Sequence, residues 1–188
     1  MAKLEKHHKS RDALERLNWR NPLHWLATGF GSGLSPFAPG TFGTLAAIPF
    51  YLLIMYLPLS VYIAVTIVAA VAGIWICQSA TQAIGQDDHG SIVWDEFVGF
   101  WITMIAAPKG LLWLLAGFLI FRVFDIIKPW PIRWLDRYVK GGLGIMVDDV
   151  LAGLFGLLVN AATNAGWFCG KALLTLLSVV LTRSDSIG

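Results

Sequence analysis

Residues Arg122–Asp149 read RVFDIIKPWPIRWLDRYVKGGLGIMVDD, and the reading of the whole chain turns on them. Nine of these 28 residues are charged: Arg122, Asp125, Lys128, Arg133, Asp136, Arg137, Lys140, Asp148 and Asp149. The 101 residues before them, 21–121, carry five: Asp87, Asp88, Asp95, Glu96 and Lys109. The stretch is therefore a polar island in an apolar chain, with acids set beside bases. Mixed charge suits a site that binds both a cation and an anion, such as Mg²⁺ and a phosphate. A solvated cytoplasmic loop rich in positive charge has the same composition.

The bulk numbers select the class. A chain of 188 residues is one domain by length. Hydrophobic residues make up 56%, mean hydropathy is +0.66, and charged residues are only 14%. Soluble domains carry about 25% charged residues, so the chain reads as an integral membrane protein. A net charge of +2, with no basic aromatic repeat, argues against a nucleic-acid partner. Cys77 and Cys169 lie in apolar segments without a CxxC or Cys/His cluster, which argues against zinc or a disulfide framework. They read as buried, inert thiols.

Residues 1–20 form a basic tail holding Lys3, Lys6, Lys9, Arg11, Arg16 and Arg20. Such a segment suits an anionic membrane surface, and equally a disordered cytoplasmic tail. Ser10–Trp19 fits a short amphipathic helix with Leu14 and Leu17 on one side. The start is not a signal peptide, because the first long apolar run begins near Phe42. Trp19, His24 and Trp25 suit the bilayer interface.

Gly31–Thr44, GSGLSPFAPGTFGT, is a loop by its glycine and proline content, and a helix must follow it. A helix start offers free N–H groups to an anion, with Thr41 and Thr44 adding hydroxyls; it serves as well for an ordinary N-cap at either threonine. No Walker lysine follows. Phe42–Leu57, interrupted by Pro49, and Val61–Ile84 then read as a hairpin of two membrane helices turning at Leu57–Ser60. QDDHGSIVWDE, 86–96, leads the chain back toward lipid. Asp95 and Glu96 stand at that entry, where charge is costly unless paired or metal-bound. First-turn acids also complement a helix dipole, which explains one acid better than two. His89 and Glu96 are seven apart and share a face if the stretch is helical.

Phe97–Ala107 and Leu111–Phe121 are eleven residues each, split by Pro108-Lys109-Gly110. As one kinked span they would place Asp95 and Glu96 on the opposite face from the island. A re-entrant or tilted hairpin returns the chain to the same face. Of 14 basic residues, only Lys109 and Lys171 then fall away from that face, and the positive-inside rule makes it cytoplasmic. After the island, Val150–Phe168 and Ala172–Thr182 read as a last hairpin, with Asn160, Thr163 and Asn164 available for interhelical hydrogen bonds.

This topology gathers Asp95, Glu96, Asp125, Asp148 and Asp149 with Arg122, Lys128 and Arg133. Hard carboxylates without a cysteine or histidine pair favour Mg²⁺. Arg122, Asp125 and Lys128 follow at i, i+3 and i+6, so two of the three can face one site before Pro129 ends the helix. Gly141, Gly142 and Gly144 read as a flexible approach to Asp148-Asp149, placing a second acid pair at a second helix start. Cys-x5-Arg, DxDx[TV] and the Lys-x6-Arg-Pro pattern with two later histidines of common lipid phosphatases are absent, so metal-assisted attack by water is the economical mechanism, with one carboxylate as general base. The aspartate motif of CDP-alcohol phosphotransferases is also absent. A cation transporter would carry acids in mid-membrane rather than at helix edges.

Three stretches are similar to the phosphatidylglycerophosphatase A family of bacterial membrane lipid phosphatases: GFGSGLSPFAPGTFGTLAAIPF, DDHGSIVWDEFVGFWIT and FRVFDIIKPWPIRWLDRYVKGGLGIMVDDVLAG. Together they span about residues 21–160. The resemblance implies Mg²⁺-dependent hydrolysis of phosphatidylglycerol phosphate in the inner membrane, with the site facing the cytoplasm. It implies an all-α fold with the site between helices, which with the topology above is a polytopic helical bundle with short or re-entrant helices. Its motif acids fall on Asp95, Glu96, Asp125, Asp148 and Asp149, and its basic positions on Arg122, Lys128 and Arg133. Metal ligands are expected among Asp95, Glu96, Asp148 and Asp149, and phosphate contacts among Arg122, Lys128, Arg133, Thr41 and His89. The expected organisation is a tail over 1–20, a catalytic domain over 21–168 and an apolar end over 169–188.

Overall fold

A computed structural model describes residues 14–87, 89–105 and 107–184, with side chains through residue 166. The described residues form seven α-helices and one short 3₁₀ turn: α1 Pro22–Ala27, the turn Ser32–Leu34, α2 Pro39–Ile54, α3 Leu59–Ile84, α4 Trp94–Thr103, α5 Leu111–Ile127, α6 Ile132–Tyr138 and α7 Gly141–Ser184. The fold is all-helical. Two stretches are long and apolar enough to cross a bilayer, Leu59–Ile84 and Gly141–Gly166. The tail over 1–13, with the first four residues of the expected Ser10–Trp19 helix, lies outside the described residues; of the remainder only 14 and 15 are helical, and the chain turns before Trp19.

The short helix α4 is the centre of the bundle. From Glu96 to Thr103 every side chain is buried. A helix that is apolar all round needs neighbours on every side, and α2, α3, α5 and α7 supply them. Small residues let α7 come close. A Cβ on Gly153 would stand 2.5 Å from the Gly99 carbonyl, and one on Gly99 would stand 2.7 Å from the Asp149 carbonyl. Asn160 Nδ2 donates to the Thr103 carbonyl at 2.9 Å, and the Thr103 hydroxyl lies 3.3 Å from the Gly153 carbonyl. Close backbone approach with side-chain hydrogen bonds is how helices associate where lipid removes the hydrophobic drive between them. Three further ties run from other helices: Tyr62 Oη to the Trp101 carbonyl at 2.6 Å, Trp101 Nε1 to the Ala47 carbonyl at 3.2 Å, and Trp94 Nε1 to the Ala69 carbonyl at 3.2 Å.

Helices α4 and α5 fold back on each other. The ten residues of α4 span roughly 15 Å, and the chain reverses around Lys109-Gly110. Gly110, at φ 141°, has open space where a Cβ would go. The end of α5 returns to the start of α4, with Arg122 Nη1 3.8 Å from Glu96 Oε1. The hairpin arrangement of 97–121 therefore holds as geometry.

Three sequence expectations are corrected. The segment after the island is a single helix, Gly141–Ser184, rather than a hairpin of 150–168 and 172–182. Its breakers are isolated glycines, each costing about 1 kcal/mol against alanine, and no proline is present. Gly141, Gly142 and Gly144 belong to that helix rather than to a flexible approach, so Asp148 and Asp149 lie two turns inside it. Gly142 is there because Gln78 of α3 crosses it, its side-chain oxygen accepting from the Gly142 amide at 2.8 Å. Finally, neither Thr41 nor Thr44 caps α2. The helix begins at Pro39 after Ala38, and the Thr44 hydroxyl donates to the Gly40 carbonyl at 2.9 Å.

Candidate active site

The starts of α2 and α4, the end of α5, α6 and the first turns of α7 enclose a cleft of about 290 Å³. Asp95 and Glu96 enter it from the first turn of α4, Arg122, Asp125 and Lys128 from α5, and Asp148 and Asp149 from α7. One carboxylate oxygen each from Asp95, Glu96 and Asp149 lies within 4.8 Å of the other two. Adjacent residues on one helix supply two of them and the facing helix supplies the third.

The electrostatics of this cluster are unbalanced. Asp95 Oδ1, Glu96 Oε2, Asp148 Oδ1 and Asp149 Oδ2 are buried without a hydrogen-bond partner. Orphaned buried acceptors are costly, and orphaned carboxylates more so. Burial raises the Asp95 and Glu96 carboxyls well above the ordinary carboxylate range, and their acidic neighbours raise them further. A hard divalent cation removes both penalties, since it takes oxygen ligands and neutralises their mutual repulsion. The buried acidic triad can thus hold a metal ion.

Two bases frame the acids. Arg122 Nη1 lies 2.5 Å from Asp125 Oδ2, one turn further along α5, and 3.8 Å from Glu96. Lys128 Nζ lies 2.5 Å from Asp148 Oδ2 and 3.1 Å from Asp136 Oδ1. Burial alone would lower the lysine's pKa, but hydrogen bonds and charge from Asp148 and Asp136 outweigh it, and the value lies above that of an ordinary lysine. Lys128 has a left-handed backbone, φ 44°, as the C-cap of α5. That turn swings it back toward the cleft, so Arg122, Asp125 and Lys128 all face one site, where helical spacing alone allowed two.

A family model of phosphatidylglycerophosphatase A matches residues 25–164. The chain belongs to the phosphatidylglycerophosphatase A family. It is 54% identical over 143 residues to phosphatidylglycerophosphatase A of Escherichia coli, covering 76% of this chain and 83% of that one. It is 46% identical over 148 residues to the Haemophilus influenzae protein of the same name, covering 78% and 91%. A Bacteroides thetaiotaomicron protein named provisionally as a phosphatidylinositol-3-phosphatase is 40% identical over 153 residues, covering 77% and 94%. No solved structure matches.

Of the residues singled out in the sequence of this family member, seven line the cleft: Asp95, Glu96, Asp125, Asp148, Asp149, Arg122 and Lys128. Three do not. Arg133 is exposed on α6 and Thr41 is part-buried in α2. His89 is buried, and its Nδ1 accepts from the Ser91 amide at 3.3 Å. Among the four metal candidates, Asp148 stands outside the close triad and is paired to Lys128 instead. Asp87, Asp136, Lys140 and Gly40 also line the cleft and were not singled out as site residues. Gly40 carried a signal, since Gly40 and Gly43 at i, i+3 mark a helix face approached closely by a neighbour. Asp136 carried none, because its partner Lys128 lies across a turn of unknown shape.

Proposed function

We propose that the chain hydrolyses phosphatidylglycerol phosphate to phosphatidylglycerol and inorganic phosphate at this cleft, with Mg²⁺ held by Asp95, Glu96 and Asp149. One observation carries the reading: three carboxylates from facing helices converge, with orphaned oxygens, beside Arg122 and Lys128. The names of the Escherichia coli and Haemophilus influenzae relatives support the substrate. When bound, Mg²⁺ would offset charge on the phosphoryl oxygens and polarise the phosphorus centre. Arg122 and Lys128 hold the remaining phosphate oxygens by charge-assisted hydrogen bonds. Their existing carboxylate partners keep both side chains oriented before substrate arrives. Asp125 and Asp148, the acids outside the triad, are the candidates to accept the proton of the attacking water.

The cleft volume of about 290 Å³ suits a phosphorylated headgroup rather than acyl chains. The chains would remain in the bilayer that α3 and α7 cross, in a multi-pass fold whose α4–α5 hairpin is re-entrant. Eleven of the 14 basic residues lie in 1–20 or 122–140, and the second stretch borders the cleft; the positive-inside rule then favours the cytoplasmic face of the inner membrane for it. The same domain covers 21–168, with a basic tail before it and an apolar end after it.

The test is release of phosphate by purified protein from phosphatidylglycerol phosphate, with and without EDTA. Release with Mg²⁺ and none with EDTA is the expected result; release unaffected by EDTA would end the metal reading. The Bacteroides relative motivates a second headgroup, phosphatidylinositol 3-phosphate, in the same assay. Faster turnover of that lipid would reverse the substrate assignment and leave the chemistry intact.

A further inference from the structure

Helix α6 divides its residues cleanly between two faces. Ile132 is fully buried, and Leu135, Asp136 and the C-cap Val139 are half-buried on the same side, at i, i+3, i+4 and i+7. Arg133, Trp134, Arg137 and Tyr138 are all exposed, at i, i+1, i+4 and i+5. Trp134 and Tyr138 contact each other with ring centroids 5.0 Å apart. Trp130, just before the helix, is 82% exposed, and the neighbouring end of α5 exposes Ile126 at 69% and Ile127 at 65%. Three bare aromatics, two isoleucines and two arginines thus lie within 126–138, the stretch that also lines the cleft through Ile126, Lys128 and Asp136.

In water such a patch would be a liability. In a bilayer interface it is a match: tryptophan and tyrosine settle at headgroup level, and arginine lays its stem on acyl chains while its guanidinium reaches phosphate. The opposite face of α6 carries Asp136, 3.1 Å from the Lys128 ammonium in the cleft. The same helix therefore bears both the exposed patch and a partner of a phosphate-holding base.

We propose that α6, with Trp130, docks on the anionic lipid headgroups of the membrane surface, and that Asp136 is a positioning residue coupling that docking to Lys128. This deepens the proposed function, on which its kinetic arm rests. The charge complementarity favours anionic phospholipid over a protein partner, because both arginines flank rings suited to the interface. Arg133 thereby gains a phosphate contact in the bilayer surface rather than in the cleft.

The docking is tested without turnover. Full-length protein carrying Trp134→Cys, with Cys77 and Cys169 replaced by alanine, is labelled with an environment-sensitive fluorophore and placed in nanodiscs containing lipid spin-labelled near the headgroup. Quenching that grows with the anionic lipid fraction is expected. Emission typical of water and unaffected by the spin label overturns docking, and shielded emission that the lipid spin label does not quench assigns the face to protein instead. The coupling is tested by kinetics in mixed micelles. Loss of one surface arginine is worth about fivefold near an anionic membrane, so Arg137→Ala should raise the apparent KM about fivefold in anionic micelles and, through the coupling, lower kcat there, while leaving hydrolysis of a short-chain soluble substrate unchanged. Equal loss on both substrates overturns the proposal. Asp136→Asn should lower kcat on both substrates, with partial rescue in Asp136→Glu; unchanged kcat in Asp136→Asn removes the coupling. If no variant or wild-type sample hydrolyses the lipid, the functional reading fails, while the quenching result stands by itself.

Discussion

Gly40 lies directly against the Glu96 carboxylate: a Cβ at position 40 would collide with Glu96 Oε1 and stand 3.0 and 3.1 Å from the two terminal nitrogens of Arg122. The first turn of α2 thus closes over an acid and a base that both line the cleft. Gly40→Ala should displace both. Misplacement of about 1 Å can cost on the order of 100-fold in rate, and a loss of that size is expected with the protein still inserted in membranes. Activity within a few-fold of wild type would show that Glu96 can move without consequence.

The triad gives opposite predictions for activity and for stability. Asp95→Asn and Asp149→Asn each remove a proposed metal ligand and should abolish turnover, a loss of 100-fold or more. Each also removes one buried charge from a cluster of acids. In EDTA, the melting temperature of either variant should therefore equal or exceed that of wild type, and Mg²⁺ should raise it less than it raises wild type. Thermal melts of purified protein with and without Mg²⁺ check this, and a strongly destabilised variant in EDTA would contradict it.

Lys128 stands between Asp148 and Asp136. Lys128→Met should destabilise the fold as well as the activity, because removing one partner of a buried pair leaves the other uncompensated, at a cost of about 3 kcal/mol. The double variant Lys128→Met/Asp148→Asn should recover most of that stability and none of the activity, which a double-mutant cycle measures. The lysine's pKa is raised, so its contribution to stability is complete below the ordinary lysine value of 10.5 and is lost only as pH climbs through the higher folded value. The lysine's own titration therefore adds no pH dependence to stability below that ordinary value.

Gly153 and Gly166 both lie in α7, yet they should respond differently to alanine. At Gly153 a methyl would meet the Gly99 carbonyl and press α7 away from α4, carrying Asp149 from the triad. Overpacking of this kind costs about 1–3 kcal/mol, and activity should fall with it. At Gly166 nothing lies within 4 Å, and alanine should be neutral or slightly stabilising. Equal effects at the two positions would mean that close approach of α4 and α7 does not set the site.

If the α4–α5 hairpin is re-entrant, as proposed, Lys109 at its tip lies away from the cleft face. Lys109→Cys should resist a membrane-impermeant thiol reagent applied from the cytoplasmic side of inverted vesicles, whereas Lys140→Cys should react. Ready labelling of position 109 from that side would place the hairpin at the surface.

Several features were settled by the sequence alone. Low charge and long apolar runs dictate an all-helical fold, with two helices long and apolar enough to cross a bilayer, since a bilayer leaves the backbone few other ways to satisfy its hydrogen bonds. The polar island at 122–149 and the acids at 95–96 marked the site, because isolated charge in such a chain demands a reason. Local pattern could not say which acids meet. Asp148 and Asp149 are neighbours in sequence but about 100° apart around α7; one turns to Lys128, the other to Asp95 and Glu96. The left-handed turn at Lys128, the two-faced α6, the unbroken run of α7 and the seat of Gly40 under Glu96 all depend on contacts between segments far apart in the chain. Periodicity reports the face a residue occupies on its own helix; the crossing of helices decides what that face meets.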